Sequence, residues 1–130
     1  MKNITIITLI FAIPILAYMI LSKPDVSLAS KTVDANKPQI MKFTSLMCLD
    51  CKKLDKVFKE TYPSYNSKIT LIEIPVQTET EYTKKQVQKY NITLVPTLVF
   101  ITAKGKQLYK TEGYMPKAEL EQKMKALINE

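Results

Sequence analysis

Cys48 and Cys51 are the only two cysteines in a chain of 130 residues. They lie in Met47-Cys48-Leu49-Asp50-Cys51-Lys52, between the apolar run Ile40-Met41-Lys42-Phe43-Thr44 and an amphipathic run that begins at Lys53. The junction reads as the end of a strand and the start of a helix. At a helix start, unpaired N–H groups and the positive end of the helix dipole stabilise a thiolate. Cys48 at that start is the expected nucleophile, and Cys51, one turn in, the resolving thiol. Three uses fit such a pair. A redox-active dithiol is the leading one. A structural disulfide across so short a loop would constrain the unfolded chain little. A metal site is the third. Zinc is disfavoured without histidine or a second cysteine pair, but copper(I) needs only two thiolates, and Met47 and Met41 are soft neighbours. A copper(I)-binding protein using the same cysteines is therefore the alternative. Between the cysteines, Asp50 opposes thiolate formation and Lys52 favours it.

The formal net charge of +7 comes entirely from lysine, since the chain has neither arginine nor histidine. Bidentate contacts to phosphate and guanine favour arginine, and the lysines are spread along the chain. No nucleic-acid partner is expected. Lacking histidine, the chain also lacks the commonest metal ligand and general base. No thiol lies outside the pair, which suits a protein exported to an oxidising compartment.

Residues 4–21 are uncharged and mostly apolar, behind a short flank carrying Lys2. A bilayer core takes about 17–25 such residues, and Pro14 is tolerated in a membrane helix. A cleaved signal would have a shorter apolar core followed by a small-x-small site. Ser27-Leu28-Ala29 is a candidate, but it lies beyond Lys23, Pro24 and Asp25. An uncleaved signal anchor over residues 1–21 fits better, as a single pass with the domain that follows on the extracytoplasmic side. Residues 22–37, with few apolar positions, read as a tether. Residues 38–130 are then one domain.

In that domain, residues 39–45 read as a strand. Residues 48–62 read as a helix with Leu54, Val57, Phe58 and Thr61 on one face, stopped at Pro63. A second strand covers 68–76. Thr78-Glu79-Thr80-Glu81 has the form of a capping box, so a helix should start there and run to about Tyr90. Strands follow at 97–102 and 107–111, joined by a turn at Lys104-Gly105-Lys106. A closing helix at 117–129 presents Leu120, Met124, Leu127 and Ile128. The expected class is α/β, in the order β-α-β-α-β-β-α. It should form a four-stranded mixed sheet with helices on both faces, preceded by one transmembrane helix. The first two strands should be parallel and the last two a hairpin.

Leu94-Val95-Pro96-Thr97 is the second signal. A trans proline at the entry to so apolar a strand costs a ladder bond, which a cis Val95–Pro96 bond would avoid. A strand, then Cys-x-x-Cys-Lys opening a helix, then Val-Pro-Thr before an apolar hairpin and Gly113 before a final helix together resemble thioredoxin. The resemblance covers about residues 38–129. It implies a protein-disulfide oxidoreductase in which Cys48 attacks a substrate disulfide and Cys51 releases it. It also implies that Pro96 is cis and lines a substrate groove with Val95. Met47 stands where thioredoxins carry tryptophan, and falls in the same groove. No cofactor is implied. The partners would be protein thiols and disulfides, the membrane through residues 4–21, and a membrane or soluble electron donor. A tethered, exported form resembles the thiol reductases of the bacterial envelope.

Lys42 and Glu73 are lone charges in the apolar stretches of the first two strands. Thioredoxins carry these charges exchanged, an aspartate at the position of Lys42 and a lysine at that of Glu73. Opposite charges on adjacent strands can pair, and a buried charge needs its partner. Read through the resemblance, Glu73 would pair with Lys42 and take the place of the family aspartate as the acceptor of the Cys51 proton. The alternative is that an edge strand points Glu73 at solvent.

Overall fold

The computed structural model describes residues 12, 13, 15 and 36–130. The expected membrane span and most of the tether fall outside these residues. Among the described residues, no helix is long and apolar enough to cross a membrane. Ala12, Ile13 and Ile15 are helical and exposed. The chain divides into two units, 1–30 and 31–130. The second unit carries a four-stranded sheet.

Its strands are β1 (Gln39–Thr44), β2 (Thr70–Pro75), β3 (Thr97–Ile101) and β4 (Gln107–Glu112). Its helices are α1 (Leu49–Thr61), α2 (Glu81–Lys89) and α3 (Lys117–Ile128). The sheet order is β2-β1-β3-β4. β1 pairs in parallel with β2, and antiparallel with β3, which pairs antiparallel with β4. This is the expected mixed sheet. The two central strands are apolar on both faces because both faces are covered. Ile40, Leu98 and Phe100 pack with Leu54 and Phe58 of α1 and with Leu120, Met124 and Leu127 of α3. On the other face, Met41, Phe43, Ile74, Val99 and Ile101 pack with Val87 and Tyr90 at the end of α2.

Several element ends shift from expectation, each for a local reason. Cys48 is not the first helical residue but the N-cap of α1, with extended backbone. α1 ends at Thr61 and passes into a 3-10 turn, Tyr62–Ser64, that accommodates Pro63. The cap of α2 is Thr80, whose hydroxyl accepts from Thr83 N at 3.1 Å, and not Thr78. Glu81 is therefore the first residue of α2 rather than the reciprocal partner of a box. Asn91, at φ 49°, ends this helix in the left-handed region that asparagine tolerates. β3 stops at Ile101, because Thr102 is committed to the hairpin. Thr102 N donates to Lys106 O, Thr102 O accepts from Gly105 N, and Gly105 sits at φ 80°.

β2 is an edge strand, and its outer side is partly closed. Thr70 N and Val76 N donate inward, to Pro38 O and Thr44 O. By alternation Ile69 and Leu71 turn outward. There the Tyr62 hydroxyl donates to Ile69 O at 3.0 Å and accepts from Leu71 N at 3.2 Å. Pro75 has no N–H to offer. A strand arriving at this edge would find its first rung already taken.

Candidate redox site

The site is built where β1 ends and α1 begins. Cys48 N donates to Ser45 O at 3.2 Å, closing a turn that ends the strand. The Cys48 sulfur then does what a capping oxygen does in most helices. It accepts from Cys51 N at 3.1 Å, so one of the unpaired N–H groups of the first turn is aimed at it. Cys48 and Cys51 are bonded to each other as a disulfide, with Cα atoms 5.2 Å apart. Cys48 is partly exposed, whereas Cys51 is 2 % exposed. Of the two residues, Cys48 is therefore the one open to an incoming group. Asp50 is offset by Lys53, its Oδ1 3.0 Å from Lys53 Nζ at the surface.

The loop before β3 comes to the same place. Val95–Pro96 is a cis peptide, and the Val95 carbonyl oxygen lies 3.6 Å from Cys48 Sγ. Thr97 Oγ1 donates to Leu94 O at 2.7 Å, and Gly113 N donates to Pro96 O at 2.7 Å. The loop is thus held on both sides of the proline. Val95 is partly exposed and Pro96 buried. Met47 is 94 % exposed beside Cys48, and Leu46, Leu49 and Leu94 are also exposed.

Lys42 is 3 % exposed. It lies on the face of β1 that α1 covers, with its ammonium over the Phe58 ring, 5.1 Å from the centroid. The Lys42 ammonium is in ion-pair contact with Glu73, which stands opposite it in register on β2. Both readings hold in part: Glu73 pairs with Lys42 and its side chain is half exposed. Sequence reasoning missed the second partner. Lys42 Nζ donates to Asp55 Oδ1 at 2.7 Å. Asp55 is on α1, one turn after Cys51, a spacing that places both on the same side of a helix. That spacing was the available signal. The cluster opens on a cavity of about 360 Å³ lined by Lys42, Asp55, Phe58, Tyr62, Leu71 and Glu73, among others. No group of three or more metal-binding side chains occurs among the described residues.

Comparison with known proteins agrees with this geometry. A family model described as thioredoxin-like domain matches residues 28–128. No match was found among curated protein sequences. Among solved structures, chloroplastic thioredoxin z is 20% identical over 81% of this chain and 87% of its own, with TM-score 0.62. The germline-specific thioredoxin Deadhead of Drosophila melanogaster is 23% identical over 71% of this chain and 82% of its own, with TM-score 0.61. Thioredoxin-2 of a malaria parasite is 15% identical over 70% and 84%, with TM-score 0.62. At these identities the likeness is one of fold.

Proposed function

The chain belongs to the thioredoxin-like family, and on that footing we propose that it is a membrane-anchored thiol–disulfide oxidoreductase acting as a reductase of extracytoplasmic proteins. One observation carries the chemistry: a bonded Cys48–Cys51 pair at the start of α1, with Cys48 partly exposed and Cys51 buried. In the reduced protein, the Cys48 thiolate is held by the Cys51 N–H and the helix N-terminus. It attacks one sulfur of a substrate disulfide and releases the other as a thiolate. Cys51 then attacks the Cys48 sulfur of the mixed disulfide, and the second substrate thiolate leaves. The substrate gains two electrons, and the protein returns to the bonded state seen here. An electron donor restores the dithiol.

Met47, Val95 and Pro96 form the surface on which the substrate chain rests. A backbone segment beside Val95 would present its disulfide to Cys48. The proton of Cys51 leaves toward the carboxylates that Lys42 holds, of which the sequence points to Glu73. The apolar stretch at residues 4–21 supports the anchor.

Insulin reduction tests the reading. With dithiothreitol as donor, the purified chain should accelerate insulin precipitation without added metal. Cys48→Ser should abolish this, and Cys51→Ser should accumulate mixed disulfides. A chain that purifies with stoichiometric copper and does not turn over insulin would support the copper(I) reading instead.

A further inference from the structure

The two ends of the sheet differ in charge. Gln39 on β1 is in register with Thr70 on β2 and Ile101 on β3, and Ile101 with Gln107 on β4, so these four mark one end. Pro38, just before them, is where the chain enters from residues 22–37. Lys68, Lys104 and Lys106 lie just beyond this row, and Lys37 adds its charge between them. The topology thus gathers lysines from three separate segments. Lys68, Lys104 and Lys106 are exposed, and among the described residues none of the three is in an ion pair. Residues 36–41, 65–71 and 99–108, which build this end, contain neither aspartate nor glutamate. The other end, where Thr44 meets Pro75 and Thr97 meets Glu112, leads to the dithiol. There Asp50, Glu79 and Glu112 each pair with a lysine, and Glu81 adds a further negative charge. β1 alone separates the two ends by about 17 Å.

We propose that the basic end, where the chain enters the sheet, docks on an anionic lipid surface and so holds the dithiol on the side turned away from the bilayer, toward soluble proteins. This rests on the anchored reading and adds an orientation to it. Two arguments favour lipid over an acidic protein. The chain reaches this end from the apolar stretch at residues 4–21, so the surface that stretch would enter is the nearest extended one. The exposed residues beside the lysines, Asn66, Ser67, Ala103 and Gln107, are small or polar and offer no aromatic or arginine anchor of the kind that carries protein interfaces. Spread ammonium groups suit a diffuse layer of headgroup phosphates. The large exposed apolar side chains Leu46, Met47 and Leu49 stand at the dithiol end instead. So few lysines hold a free domain only weakly. Joined to an anchor, the same contact is intramolecular and has only to select an orientation.

Energy transfer to an acceptor dye on lipid headgroups tests this with the full chain in vesicles. One form carries the donor dye at Cys48, with Cys51→Ser. The other carries it at Ser67→Cys, with Cys48→Ser and Cys51→Ser. When phosphatidylglycerol replaces part of the phosphatidylcholine, transfer from position 67 should rise and transfer from position 48 should fall. With the ends about 17 Å apart, the ratio of the two should shift by about twofold or more. The shift should vanish in molar salt, where the Debye length is about 3 Å. It should also vanish in the triple variant Lys68→Gln, Lys104→Gln, Lys106→Gln, which should still reduce insulin at the wild-type rate. An unchanged ratio, an equal rise at both positions, or a rise at position 48 alone overturns the proposal. The last result would mean that the apolar rim of the dithiol enters the bilayer. Loss of the shift to soluble polyglutamate at low salt, with the polymer bound at this end, would assign the end to an acidic protein and also overturn it. A chain that fails to float with phosphatidylcholine vesicles overturns the anchored reading and the proposal with it, whereas a chain that floats without the shift overturns the orientation alone.

Discussion

Lys42 would be an expensive residue if it were alone. A lysine at 3 % exposure in an apolar face must be paired and hydrogen-bonded. It is held from both sides, by a strand carboxylate and a helix carboxylate, and its ammonium lies over the Phe58 ring. The two carboxylates are differently placed, each roughly half open to water, so they tolerate its loss better than it tolerates theirs. Asp55→Ala with Glu73→Ala should therefore destabilise the domain by about 3–5 kcal/mol. Lys42→Met, which swaps one flexible chain for another of similar length, should cost clearly less. Urea unfolding of the two variants checks the ordering, and a costlier Lys42→Met would mean that the ammonium contributes more than its burial costs. The sequence showed half of this cluster. Lys42 and Glu73 stand out as lone charges in apolar strands, and their registry follows from parallel pairing. Asp55 did not stand out, because a helix surface carries many charges and only the packing angle of α1 on the sheet decides which one meets Lys42.

At the scale of elements, order and type were legible, and the ends were not. Strands and helices here differ strongly in period, and each apolar face found a layer to cover. The ends depend on which of two similar groups wins a hydrogen bond. Thr78 and Thr80 both precede the helical run within three residues. The chain uses Thr80, because Thr78 lies in the turn that leaves β2, its N–H donating to Pro75 O at 3.0 Å. Thr80→Ala should then cost about 1 kcal/mol, and Thr78→Ala much less. Thermal denaturation of the two variants separates them, and equal losses would contradict the observed cap. The same logic moved Cys48 from the helix to its cap. That shift matters chemically, since a cap residue points its side chain at the first-turn N–H groups, and here the side chain is the reactive sulfur.

On the scale of the whole molecule, the four-stranded sheet, both apolar layers and the cysteine pair lie within residues 31–130. The edge of β2, where an unpaired strand would invite association, is capped by Tyr62 and ends in Pro75. Residues 31–130 should consequently fold alone, with one cooperative transition and the insulin activity of the full chain. What the first thirty residues add is then a question of place, and two forces could supply it. The apolar stretch at residues 4–21 could insert into a bilayer, or the net charge of +7 could hold the chain on anionic lipid. Salt distinguishes them, since a Debye length falls to about 3 Å at molar salt and burial of apolar surface is not screened. The full chain should sediment with membranes and stay there through a molar salt wash, releasing only to detergent, while residues 31–130 remain in the supernatant. A membrane-impermeant thiol reagent should label reduced Cys48 in intact cells. Release by salt would make the association electrostatic, and protection of Cys48 until the cells are opened would place the dithiol inside and remove the extracytoplasmic reading.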